Sequence, residues 1–143
     1  MKIIKIFSFI LLALCNVSAY CSERSILFLQ QMKPGHIIYV SMNEKGQDTF
    51  VSVVGMGAAT IKKEAIIATR DFSKLWKLAN SKELMSFKLS SSDNGNMADP
   101  NFYTVNIGSG DKSKTILQIP VKEIEGATEE FVNEFKKFIE AKS

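Results

Sequence analysis

The sequence predicts an α+β domain, with an antiparallel sheet of four to six strands and two main helices packed mostly on one face. Three observations predict it. Residues 36–54 read as two apolar strands around a polar turn, and residues 102–119 repeat that arrangement with clear alternation. Two further segments carry apolar residues at helical spacing, one around Trp76 and one at the C-terminal end. Strands that neighbour strands, with helices set apart from them, point to α+β rather than to alternating βα units.

The 143-residue chain is long enough for one domain and not for two. Its first residues read as a secretory signal. Lys2 and Lys5 make a positive start, Ile6 to Leu14 an apolar stretch, and Val17-Ser18-Ala19 a small-residue cleavage site. The apolar stretch is shorter than the roughly 20 residues a spanning helix needs. Cleavage is therefore expected between Ala19 and Tyr20. A flexible lead over 20–25 and a domain over 26–143 would follow, with no transmembrane segment in the mature chain. The expected location is periplasmic or secreted.

Removing the signal changes the charge argument. The whole chain carries +3, but Lys2 and Lys5 leave with the signal, so 16 basic residues then face 15 acidic ones. A near-neutral chain without a basic cluster makes no electrostatic case for nucleic acid or an anionic membrane. Of the two cysteines only Cys21 would survive, and one thiol forms no internal disulfide. Cys21 reads as a spectator thiol, as half of an intermolecular disulfide, or as a lipid attachment point. Lipidation favours a small residue before the cysteine, and Leu14 and Tyr20 stand before Cys15 and Cys21.

After the lead, Ser25 to Met32 reads as a strand ended by Pro34-Gly35. The first hairpin pairs Ile37–Met42 with Thr49–Val54 around residues 43–48, where Gly46 supplies a positive φ. Its side chains are apolar on both faces, so it is expected to need cover on most of both. Gly55-Met56-Gly57-Ala58-Ala59-Thr60 imitates the start of a dinucleotide-binding turn. The third glycine is replaced by Thr60, however, and too little chain follows for a crossover helix and further βα units. A bend at a strand end is the plainer reading, and no cofactor is expected.

Residues 61–68, IKKEAIIA, fit a strand or a short helix and are taken as a strand. Thr69 or Asp71 is a suitable N-cap for a helix whose Phe72, Leu75, Trp76 and Ala79 share one face. Residues 82–89 continue as a turn or short strand. Ser90 to Asn101 is a polar loop, in which Asp93, Asn94, Asn96 and Asp99 offer oxygen ligands. Their spacing does not match a calcium loop, so they stand as candidate contact residues only.

The second hairpin pairs Phe102–Ile107 with Thr115–Ile119, and only one of its faces demands burial. The last helix is expected to start at Thr128 as N-cap. It carries Phe131, Val132, Phe135, Phe138 and Ile139 as a stripe, with Glu129 and Glu130 at its start and Lys136, Lys137 and Lys142 towards its end.

Catalytic signatures are sparse. His36 is the only histidine, beside Gly35 at the mouth of the first hairpin. One histidine and one distant cysteine make neither a zinc site nor a recognisable nucleophile arrangement, so no catalytic or metal residue is named. Paired carboxylates carry no sequence signature, and they leave a hydrolase open. The order of hairpin, helix with Leu75-Trp76, loop, hairpin and amphipathic C-terminal helix resembles small exported bacterial domains of unknown function, over most of residues 26–140. That resemblance is one of layout and carries no functional residue with it.

The sequence therefore favours an exported binding module for an unknown protein or envelope component, a class that includes inhibitor-like proteins. Cys21, His36, Asp93, Asn94, Asn96 and Asp99 are its interaction candidates. The alternatives are a small hydrolase and a structural envelope component tethered through Cys21. A binding module implies a wide apolar patch, whereas an enzyme implies a pocket with converging titratable groups.

Overall fold

A computed structural model describes residues 23–57, 61–90, 99–110 and 114–141. Six strands form one antiparallel sheet in the order β4-β3-β2-β1-β5-β6. They are β1 (Arg24–Lys33), β2 (His36–Lys45), β3 (Asp48–Met56), β4 (Ile61–Ala68), β5 (Phe102–Ser109) and β6 (Thr115–Pro120). Three helices accompany them: α1 (Thr69–Ala79), the single turn α2 (Lys82–Met85) and α3 (Gly126–Glu140). The first four strands wind outward as a meander. The chain then crosses back over one face through α1 and α2 and adds β5 on the free side of β1.

Alternation decides which side chains face the helices. One row across the sheet reads Lys63, Val53, Val40, Phe28, Val105 and Leu117, and the next reads Ala65, Val51, Met42, Ile26 and Ile107. From β3 to β6 these residues are buried. On β4 the same rows end in a lysine and an exposed alanine, so the core tapers out at that strand. The helix layer fills the rest. Phe131, Val132 and Phe135 of α3 and Phe72, Leu75 and Ala79 of α1 are all buried. Phe28 stacks on Phe135 with ring centres 4.9 Å apart and on Tyr103 at 5.3 Å, which binds α3 to the middle of the sheet.

Several local expectations are corrected. The first hairpin turns on two residues, Gly46-Gln47, and its strands run through Asn43–Lys45 to pair Lys45 with Asp48. Gly46 has φ 66°, so the positive angle stands at the first turn position, as a type II′ connection requires. β1 already begins at Arg24, so the last two residues of the expected lead are strand. Residues 82–85 form a helical turn, after which Lys88 bridges to Leu117 on the outer side of β6.

Neither long helix is capped as its sequence suggests. Thr69 is the first residue of α1, and Asp71 lies within its first turn. The Thr69 amide donates to Gln47 O at 3.1 Å and its hydroxyl to Gly46 O at 3.3 Å, so the hairpin turn anchors this helix. α3 starts at Gly126, ahead of Thr128. Its free amides are met by Glu83, which accepts from Ala127 N at 3.2 Å and from Thr128 N at 3.3 Å. A carboxylate at a helix N-terminus is favoured by both hydrogen bonding and the helix dipole. The cap is therefore tertiary.

The expectation of cover on both faces of the first hairpin also fails. All three helices lie on one face, and on the other face Phe50 and Met56 are exposed while Tyr39 and Val54 are half-buried. In the second hairpin the difference runs the other way. Thr104 and Gly108, on the face turned from the helices, are buried as well.

Candidate functional site

Of the interaction candidates marked in the sequence, His36 and Asp99 alone lie among the described residues. Ala19, Tyr20 and Cys21 lie outside the described residues, as do Asp93, Asn94 and Asn96. Asp99 makes a local turn into β5, its Oδ1 accepting from the Asn101 amide at 2.8 Å. His36 opens β2, where its ring lies so close to Gly57 that a Cβ there would fall 2.5 Å from Nδ1. The glycine pair that imitates a dinucleotide turn ends β3, as the reading of a bend at a strand end expects, and the next described element is the antiparallel strand β4. A phosphate site of that kind needs a helix N-terminus at this point. Among the described residues no three His, Cys, Asp or Glu side chains gather as a metal site requires. Nor is any helix among them long and apolar enough to cross a membrane.

Two polar clusters are built with care, and both hold helices in place. Arg24 forms a two-point ion pair with Glu44, with Nε to Oε1 at 3.0 Å, and donates to Ser73 Oγ at 2.9 Å. Its guanidinium also lies 5.3 Å from the centre of the Phe72 ring and 5.5 Å from that of Trp76. Arg24 thus joins β1 and β2 to α1. Glu83 makes the second cluster, accepting from the Thr128 hydroxyl at 2.9 Å in addition to the two amides. The Thr128 hydroxyl first, then the amides, hold its carboxyl below the usual carboxylate range. Each group's hydrogen bonds are spent within the fold.

What stays open is the β4 side of the sheet. The two outer strands are treated differently. Beside β6, residues 87–89 run along the edge, with Leu89 N donating to Ile116 O at 2.9 Å and Gln118 N to Phe87 O at 3.1 Å. β4 has only β3 beside it among the described residues, and its outer edge is unpaired for eight residues. An uncovered edge of that length is a template for another strand.

The register identifies which groups are free. Lys45–Asp48 closes a two-residue hairpin, so it is a hydrogen-bonded pair, and such pairs alternate along the ladder. β3 therefore turns its even-numbered backbone groups to β2 and its odd-numbered ones to β4. In β4 the odd residues bond inward, and Lys62, Glu64 and Ile66 direct N–H and C=O outward. The Thr69 N–H to Gln47 O bond continues the same alternation.

Apolar surface borders this edge on both faces. Away from the helices, Ile66 is 62% and Phe50 45% exposed, and the two are cross-strand partners. They line a groove of about 420 Å³ with Asn43, Ser52 and Glu64. On the helix side two grooves meet at Phe138. One, about 390 Å³, lies over Val51, Val53 and Ala65 beside Lys62 and Lys63. The other, about 460 Å³, has Ile67, Leu75 and Leu78 as its floor and Asp71, Glu130, Glu134 and Lys74 on its rim. Lys63 also donates to the carbonyls of Ile139, at 3.2 Å, and Ala141, so it satisfies the last turn of α3.

Sequence reasoning missed this site because an open edge belongs to the strand order and not to any residue. The one available signal was IKKEAIIA itself, a strand with no consistently apolar face. No family model, no curated protein and no solved structure matches the chain.

Proposed function

We propose that the chain is an exported binding module that engages a protein partner along β4. The observation that carries this reading is an eight-residue edge with no partner strand among the described residues, flanked by the exposed Phe50–Ile66 pair, in a fold that covers its opposite edge with residues 87–89. Strand addition draws affinity from main-chain hydrogen bonds and specificity from alternate side-chain pockets, and β4 offers both. The secretory signal read at residues 1–19 supports action outside the cytoplasm. The test is photo-cross-linking from position 66 or 50 in the full chain expressed in its native cells, with Lys137 on the exposed side of α3 as the control position. The reading expects a discrete adduct from 66 and 50 and none from 137. Equal labelling from all three, or none, would refute it.

A second reading has one observation in its favour. The groove between α1 and α3 places Asp71, Glu130 and Glu134 around an apolar floor, a gathering of carboxylates that hydrolase chemistry could use. Glu134 is engaged by Lys137 at 2.6 Å. Hydrolysis abolished by Glu130→Gln, in a variant that still folds, would establish this reading over the first.

A further inference from the structure

We propose that the occupant of the β4 edge is a second copy of this chain, paired antiparallel about a two-fold axis through Ala65. The proposal rests on reading that edge as the docking surface, and it names the partner.

Symmetry restricts the possibilities. A two-fold axis normal to the sheet keeps each face continuous, so paired residues must share a face and their numbers must have the same parity. An axis through Lys63 limits the overlap to residues 61–65, and an axis through Glu64 sets two carboxylates directly opposite each other. Like charges in that position are destabilising. An axis through Ile66 shortens the overlap to residues 64–68. An axis through Ala65 pairs 62–68 with itself and sets two small side chains at the centre.

That register suits the free backbone groups. Glu64 lies opposite Ile66 of the other copy on both sides of the axis, and both residues direct N–H and C=O outward, giving four hydrogen bonds around the centre. The exposed Ile66 side chains become diagonal neighbours, each with its own Phe50 behind it, so the apolar patch runs across the seam. Charge agrees as well. Lys62, 3.5 Å from Glu64, stands where the edge begins, and Asp71 and Glu130 rim the groove where it ends. An antiparallel copy brings each Lys62 towards the other's acidic end, and it does so twice.

Two measurements on the full chain decide the matter. The first is sedimentation of the unmodified protein across a dilution series. The second is oxidative cross-linking of Ala65→Cys in a Cys15→Ala, Cys21→Ser background, with Glu64→Cys as comparison. Residue 65 is a non-hydrogen-bonded pair with itself, about 4.5 Å between Cα atoms, which lies within disulfide reach. A dimer that dissociates on dilution, with cross-linking at 65 well above that at 64, is the expected result. A monomer at every concentration overturns the second copy as occupant. If position 66 then still cross-links to a different protein, the docking edge survives with another partner, and if it does not, both readings fall. A dimer that cross-links no better at 65 than at 64 overturns the β4 pairing.

Discussion

Replacing Phe135 by alanine is expected to remove a large part of the domain's stability. Phe135 is fully buried, with ring centres 4.9 Å from both Phe28 and Phe131. It is the point where α3 meets the central strand. Truncating such a side chain loses its transfer free energy and leaves a cavity, at a cost of about 3–5 kcal/mol. A domain of this size is held by about 5–15 kcal/mol in total, so the variant keeps between none and about four-fifths of it. Urea unfolding followed by the single Trp76, and independently by far-UV circular dichroism, reads the change. With a slope of about 1–3 kcal/mol per molar urea, the midpoint is expected to fall by about 2 M. Phe135→Leu, which keeps most of the volume, is expected to cost about 1–1.5 kcal/mol. A loss below about 1 kcal/mol for alanine would show that α3 is not anchored through this ring.

Three further outcomes follow from the same contacts. Because the Glu83 carboxyl is held below the usual carboxylate range, its contribution is complete above that range and is lost as pH falls through the depressed value. The gap in urea midpoint between the native chain and Glu83→Gln should therefore be widest near neutrality and should close in acid, and a gap that widens in acid would contradict the cap. Arg24→Ala should cost about 1–3 kcal/mol, since Glu44 loses charge-assisted hydrogen bonds. Arg24→Lys should not recover this, because a lysine provides no fork and no planar surface for Phe72 and Trp76, and full recovery by lysine would reduce the cluster to a point charge. Gly57→Ala should destabilise by about 1–3 kcal/mol, because φ is 150° and the new Cβ meets His36. Adding His36→Ala should relieve the steric part alone, and an unchanged double variant would place the whole cost in the backbone.

The strands and the last helix were legible because alternation and 3.6-residue spacing are local signals. Tyr103, Val105 and Ile107 alternate plainly, and the Phe131–Phe135 stripe requires an apolar floor beneath it. Residues 61–68 point to a strand because the helix after them has its own start signal at Thr69 or Asp71, and they are one. Helix starts were misplaced because their partners are far away in the chain. Glu83 caps Thr128 from 45 positions away, and the Gly46–Gln47 turn receives Thr69. No window of sequence contains either pair. The exposed face of the first hairpin was hidden for a related reason: apolar residues on both sides of a strand state a need for cover, and only the topology shows which side receives it. The candidate site lay furthest from view, since β4 stays an edge only because β5 adds to β1 and not to β4.

The measurement that bears most directly on the β4 edge is residue-resolved amide exchange along Ile61–Ala68. In the dilute protein the amides of Lys63, Ala65 and Ile67 should exchange slowly, and those of Lys62, Glu64 and Ile66 quickly. On concentration, or in the presence of a captured partner, the second set should become as slow as the first. Fast exchange of all of them under every condition, or slow exchange of Glu64 and Ile66 already at high dilution, would contradict an open edge that awaits a strand.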